Sequence, residues 1–174
     1  EGVMNRARRL YALLIVLALA APGAAAARDS LGIFESWGAF RDPARNVMAL
    51  RCYAIAQPAR RSGGGAKWQP FASIATWPRQ NVRGQLHIRL SQSRKSGSSV
   101  SLSIGDRRFA LVAGNADAWA PDKQTDAAIV AAMRSGTSMS VQTVASTGRA
   151  FADTYALPGA ATAMDAAALG CSRR

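Results

Sequence analysis

The chain has 174 residues, of which 49% are hydrophobic and 18% charged, with 22 Lys and Arg against 10 Asp and Glu. A disordered chain, a coiled coil and a collagen-like chain are excluded, because the apolar content is too high and the charge too low. One His, two Cys and two Glu offer few catalytic groups, so the composition indicates no particular reaction.

Residues 4–27 have the three parts of a secretory signal peptide. Three arginines are followed by an apolar run at 10–21 and by a small-residue cleavage site. Twelve apolar residues are too few to cross a bilayer, which takes roughly 20. We expect translation to start at Met4 and cleavage to follow Ala27. The product would be periplasmic or secreted, with no transmembrane helix after processing.

The predicted mature chain, residues 28–174, carries 19 basic and 9 acidic residues, a net charge of +10. A chain of this size can bury about 68–70% of its unfolded surface. We therefore predict a signal peptide over 1–27 and a single β-rich domain over 28–174.

Cys52 and Cys171 are the only two cysteines. In an oxidising compartment two cysteines usually pair. A redox thiol pair and a metal site are the alternatives, but the chain has no C-x-x-C and only one His. We predict a structural disulfide between Cys52 and Cys171, closing a loop of about 120 residues and worth at most roughly 4.8 kcal/mol.

The sequence pattern predicts a mainly β protein. Residues 82–91 alternate strictly between apolar and polar side chains, as in a strand with one buried face. Gly105-Asp106 separates two further apolar runs and is typical of a tight hairpin turn. Other strands are predicted over 33–40, 51–57, 71–77, 137–144 and 150–157.

Two short helices interrupt this pattern. The first is capped by Asp122 or Thr125 and ends at Gly136, and the second runs over 160–169 and ends at Gly170. Residues 58–70 read as a glycine-rich loop without the context of a phosphate loop, so no cofactor is predicted. The expected fold is an antiparallel β-sandwich or barrel-like sheet with two short helices and one disulfide.

The order of these segments resembles the invasion-associated locus B family of bacterial envelope proteins. The resemblance comprises a signal peptide, a strand with a Trp, a Cys-apolar-Gln strand, a helix-to-strand segment and a late strand before an Ala-rich helix. The residues concerned are Trp37, Cys52, Tyr53, Ile55, Gln57, Ile129, Met133, Gly136, Met139, Val141, Leu157, Pro158 and Gly159. The resemblance implies a mainly β, secreted, periplasmic or outer-membrane-associated protein. The family is linked to host-cell invasion in pathogens and has no established catalytic residue.

The catalytic candidates are few, and each has a structural interpretation. His87 could be a general base or metal ligand, but no G-x-S-x-G precedes a helix, and an exposed strand histidine is favoured. Asp117, Asp122 and Asp126 surround the first helix and are typical of caps, with weak cation binding as the alternative. Asp153 shares the apolar side of its strand, where a charge is costly. An ion pair or a strand edge is favoured there over a ligand site.

Basic residues are paired along the chain, at Arg60-Arg61 and Arg107-Arg108 among others. We predict that these pairs lie in turns. If the turns meet at one end of the sheet, their arginines form a positive rim that can bind anionic lipid or glycan. Nucleic acid is a less accessible partner after export. We expect a non-enzymatic interaction module whose partner is an envelope or host-surface protein, or an anionic lipid or glycan at the membrane periphery. A small periplasmic hydrolase or hydrolase inhibitor is the alternative.

Overall fold

The computed structural model describes residues 28–42 and 50–172, so the predicted signal peptide lies outside the described residues. The elements of the described ranges are, in chain order, β1 Asp29–Phe34, β2 Trp37–Asp42, β3 Arg51–Ala56, β4 Arg60–Ser62, β5 Phe71–Trp77, β6 Val82–Arg89, β7 Val100–Ile104, β8 Arg107–Ala113, β9 Asp117–Trp119, α1 Lys123–Ser135, β10 Ser138–Val144, β11 Ala150–Ala156 and α2 Ala160–Ser172. No helix in these ranges is long and apolar enough to cross a bilayer.

The strands form one antiparallel sheet in the order β1-β2-β3-β5-β6-β9-β8-β7-β10-β11-β4. Within the described residues the sheet is open, with β1 and β4 at its edges. The short strand β9 joins its two halves, because it pairs with β6 on one side and β8 on the other. The predicted class, mainly antiparallel β with two short helices, is confirmed, and the expected sandwich or barrel-like sheet is one open sheet in the described residues.

The core lies between the inner faces of both halves and the two helices. Leu86 and Ile88 of β6 are fully buried with Leu102 of β7 and Val141 of β10. Ile129 of α1 enters the same cluster, and α2 packs chiefly on β2 and β3. The alternation predicted for 82–91 is confirmed for Leu86, Ile88 and Leu90, which face this core, whereas a register shift at Arg83 and Gly84 interrupts it near the start of β6.

The two helices begin and end partly as predicted. Asp122 caps α1 by accepting a hydrogen bond from the Thr125 N–H at 2.7 Å. Gly136 does end α1, but a Cβ there would lie 2.8 Å from Ile104 Cγ2, so close packing requires the glycine. The expected end of α2 at Gly170 is wrong, because α2 continues to Ser172 and Gly170 instead makes room for a neighbouring side chain of β1.

Two further predictions about elements are wrong. Residues 33–40 are two strands rather than one, since a turn at Glu35 and Ser36 reverses the chain and Glu35 takes a φ of 53°. The predicted loop 58–70 contains the edge strand β4, which pairs with β11.

The predicted disulfide is confirmed: Cys52 of β3 and Cys171 of α2 are bonded, with Cα atoms 5.8 Å apart. Cys52 is fully buried. The bond therefore fixes the last turn of α2 to the centre of the first half of the sheet.

The favoured interpretation of Asp153 is wrong. Within the described residues it makes no ion pair, and its strand β11 is not an edge, because β10 and β4 flank it. The side chain is fully buried and accepts a hydrogen bond from the Ser91 N–H at 2.9 Å. Asp153 therefore connects β11 to the chain leaving β6.

Candidate functional site

From β1 across to β8 the sheet leaves one face uncovered by the helices, and we call this the outer face. Pairing registers place one residue of each of seven neighbouring strands on a single row across it. This outer row is Ile33, Gly38, Ile55, Ser73, His87, Trp119 and Val112. The row is largely apolar, although it points away from the core.

The outer row carries most of the exposed large apolar side chains of the described residues. Ile33 is 67% exposed, Val112 57% and Trp119 36%, and the fourth such residue, Leu169, lies on α2. Single exposed apolar residues are ordinary, but here Trp119 and Val112 are direct neighbours and Ile33 lies at the far end of the same row, so the three lie on one face.

A charged cluster occupies the middle of the outer face. The Nε2 atom of His87 lies 2.8 Å from one carboxylate oxygen of Asp117. Arg89 donates to the other oxygen at 2.6 Å. The pairing of β6 with β9 brings the three side chains together, because His87 and Arg89 lie opposite Trp119 and Asp117.

Aromatic rings enclose this cluster. Trp119 stacks on the imidazole of His87 with centroids 5.2 Å apart and planes at 6°, and Phe71 meets it edge-on at 5.1 Å. The guanidinium of Arg89 lies over the ring of Trp68, 4.8 Å from its centroid. His87 is therefore a half-buried, paired residue, and its interpretation as a simple exposed strand histidine is wrong.

Beside the cluster the outer face continues as an open apolar groove of about 650 Å³. Ile33, Phe40, Ile55 and Phe71 contribute its apolar walls. Gly38 allows this arrangement, because a Cβ there would come within 2.6 Å of the Phe40 ring. Phe71 belongs to both features, so the groove and the charged cluster form one continuous surface.

A second polar group lies towards the β1 side of the outer face. Arg51 donates to Asp42 at 2.6 Å and covers the Tyr53 ring at 4.3 Å from its centroid. Arg28 approaches the same carboxylate at 3.3 Å. Burial, and then the charge of Asp42, raise the pKa of the Tyr53 hydroxyl.

The four arginines predicted to contact anions lie in strands rather than turns. Arg60 and Arg61 belong to β4, and Arg107 and Arg108 begin β8. Arg60 and Arg108 lie on one row that we call the serine row: Arg60, Thr154, Ser140, Ser103 and Arg108. Arg61 and Arg107 alternate to the opposite side of the sheet, where Arg107 donates to the carbonyl oxygen of Ala128 at 3.3 Å. The four do not form a single rim.

The three aspartates near α1 have separate roles. Asp122 is the expected cap, Asp117 belongs to the charged cluster, and Asp126 is buried and accepts from the Leu86 N–H at 2.8 Å. Burial is the main cause that raises the pKa of Asp126. In the described ranges no group of three or more His, Cys, Asp or Glu is placed to hold a metal ion.

Sequence reasoning missed the outer face as a unit. Trp119 and Asp117 lie on a strand of only three residues, which is too short to give a periodic signal. The polar side of β6, with His87 and Arg89 two residues apart, was the available signal.

The fold and surface define a class of protein: a mainly β domain with one disulfide and an uncovered aromatic face. Residues 48–168 match the family model described as invasion associated locus B (IalB) protein. The chain belongs to this family of envelope-associated proteins. Comparisons with curated proteins and with solved structures gave no significant match.

Proposed function

We propose that this chain is a non-enzymatic envelope protein, exported to the periplasm or secreted, which binds an envelope or host-surface protein through its outer face. The observation that carries this proposal is the outer row, which holds Ile33, Trp119 and Val112 exposed on one surface. Protein interfaces are enriched in aromatic residues and arginine, and this face combines Trp119 and Phe71 with Arg89 around His87.

The size of the outer face favours a protein over a small ligand. Seven strands span six strand spacings, or about 29 Å at about 4.8 Å each. A standard interface covers about 800 Å² per partner, a patch about 28 Å across. The charged cluster supplies an Arg and stacked aromatic rings, which are residue types that dominate binding energy at interfaces.

The alternative, a hydrolase or hydrolase inhibitor, is supported by the contact of His87 with Asp117. A carboxylate that orients a histidine is part of many hydrolytic sites. Here, however, Asp117 also holds Arg89, and in the described part of the chain no hydroxyl or thiol is hydrogen-bonded to the imidazole. The arrangement lacks the nucleophile contact on which such catalysis depends, so binding is the better-supported function.

Site-specific photo-crosslinking tests the proposal. A photoreactive phenylalanine analogue replaces Ile33, Val112 or, as the matched control, Leu169, which is as exposed as Val112 but lies on α2. We expect the same protein adduct from positions 33 and 112 in cells, and none from position 169. No adduct at 33 and 112, or equal adducts at all three positions, contradicts the proposal.

A His87→Gln variant separates the two functions. Glutamine can still hydrogen-bond to Asp117 but cannot act as a general base. For an interface residue we expect the crosslinked partner to be retained with at most about tenfold weaker binding. A hydrolytic activity in the wild-type protein that disappears in His87→Gln favours the alternative.

A further inference from the structure

A mainly apolar cavity, open to solvent on one side, lies on the opposite side of the sheet from the outer face. It has a volume of about 240 Å³ and lies between α1, α2 and the strands β5 and β6. Ile74, Val130, Met164 and Ala167 supply apolar walls, and Cys171 of the disulfide lines one part. The cavity therefore has its own boundary and shares no lining residue with the apolar groove of the outer face.

Small residues keep this cavity open. α2 presents Ala167 and Ala168 to it, where larger side chains would fill the space. On the sheet side, a Cβ at Gly84 would meet only Val130 Cγ2, at an ordinary contact distance of 3.6 Å. The cavity therefore exists because both walls, α2 and the sheet, carry small residues next to it.

A β-bulge places an arginine at the cavity. Ala75 pairs with Gln85 and Trp77 with Val82, so Arg83 and Gly84 together lie opposite a single residue, Thr76. Gly84 takes a φ of 66° and donates its N–H to Thr76 Oγ1 at 3.3 Å. Bulges redirect side chains, and here Arg83 lines the cavity.

Two arginines, Arg83 and Arg134, therefore line the apolar cavity. Arg134 of α1 also lines the cavity and is paired with Asp165 at 2.6 Å. Arg83 makes no ion pair within the described residues, and its guanidinium is left to bind an anion. Guanidinium groups bind carboxylates and phosphates through paired hydrogen bonds.

We propose that this cavity binds a single-chain amphiphile, with its aliphatic chain between α1, α2 and the sheet and its anionic head group at Arg83. A carboxylate or a phosphate head has the required chemistry. Burial of the aliphatic chain against the apolar walls is favourable, and the positive charge of Arg83 selects an anionic head group.

The test is calorimetric titration of the purified, disulfide-bonded protein with ligands of one chain length below their micelle concentrations. Decanoate and decyl phosphate carry the two anionic heads, and decyltrimethylammonium carries the opposite charge. We expect saturable binding of at least one anionic ligand, at least tenfold tighter than the cation. The tighter of the two anionic ligands identifies the head group. No saturable anionic binding, or equally tight binding of the cation, overturns the proposal.

Variants locate the site. Arg83→Gln should weaken binding of the anionic ligand about tenfold, whereas Arg149→Gln, in the turn between β10 and β11, should leave it unchanged. Ala167→Leu should abolish binding by filling the cavity, and Val130→Phe provides a second filling variant if Ala167→Leu does not fold. Equal affinities in wild type, Arg83→Gln and the folded filling variant would place the ligand elsewhere and contradict the proposal.

Discussion

The carboxylate of Asp153 accepts a hydrogen bond from the backbone N–H of Ser91 at 2.9 Å, and this contact joins β11 to the chain just after β6. A second buried carboxylate, that of Asp126, accepts from the Leu86 N–H within β6 at 2.8 Å. Side chains from two other elements therefore hold β6, the strand that also carries His87. These acidic residues stabilise local backbone geometry beneath the outer face.

Burial raises the pKa of the Asp153 carboxyl above its ordinary value, against the opposing effects of the Ser91 hydrogen bonds and the Arg61 charge. Because the folded-state pKa is the higher one, the fold binds this proton more tightly than the unfolded chain does. This contribution to the free energy of unfolding falls as pH rises from about 3.9 through the raised pKa. We therefore expect Asp153→Asn, which keeps an acceptor for Ser91 without the charge, to be more stable than wild type at pH 7.

Urea unfolding at pH 3 and pH 7 measures this effect. The advantage of Asp153→Asn should shrink towards pH 3, where the wild-type carboxyl is protonated. Asp153→Ala is the control, because it leaves the Ser91 N–H without an acceptor and should be about 1–3 kcal/mol less stable than Asp153→Asn at both pH values. If Asp153→Asn is less stable than wild type at pH 7, the buried charge is favourable and this interpretation is wrong.

The disulfide supports the second prediction. Cys52→Ala should lower the free energy of unfolding by about 2–5 kcal/mol, since the bond joins residues separated by 119 positions and anchors the end of α2. Urea unfolding of the oxidised wild type and the variant gives the difference. In the variant Cys171 should react with an alkylating reagent, whereas native wild type should not react. Alkylation of both thiols in native, unreduced wild type would contradict the bond.

The sequence pattern predicted those parts of the fold that depend on interactions between residues close together in the sequence. The alternation within β6 and the Gly105 turn were visible because each depends on neighbours in sequence. The outer face was not visible, since His87 and Asp117 are 30 residues apart and meet only when β9 pairs with β6. Gly170 illustrates the opposite error: it is a typical helix-ending residue, but here it is required for packing against Leu31.

The third prediction concerns export. Cleavage after Ala27 should give a periplasmic or secreted protein that begins at Arg28, which mass spectrometry of the intact protein can establish. Arg28 lies 3.3 Å from Asp42 and 5.9 Å from the Tyr53 ring centroid, so the new N-terminus would adjoin the folded domain. Recovery of only the uncleaved chain in the membrane fraction would contradict this prediction.

The fourth prediction is that the protein binds anionic surfaces through the serine row. Arg60 and Arg108 lie four strand spacings apart, about 19 Å, on either side of a polar strip in which Ser140 and Thr154 share a hydrogen bond of 3.2 Å. We propose that this strip contacts lipid head groups or acidic glycans through its two terminal arginines. Binding to lipopolysaccharide or acidic vesicles should then weaken as salt rises, since screening shortens the Debye length to about 8 Å at physiological ionic strength.

Two double variants with the same change in net charge provide the comparison. Arg60→Gln with Arg108→Gln removes both cations of the serine row, whereas Arg61→Gln with Arg107→Gln removes two from the opposite side of the sheet. We expect the first pair to weaken vesicle binding about tenfold and the second pair less than threefold, since each lost contact with an anion is worth about 0.7 kcal/mol at an exposed site. Neither pair should alter the unfolding free energy by more than about 0.5 kcal/mol, except through the hydrogen bond of Arg107 to Ala128. Equal losses in the two pairs would show that overall charge drives the binding, and no loss in either would leave all four arginines as ordinary solvated surface.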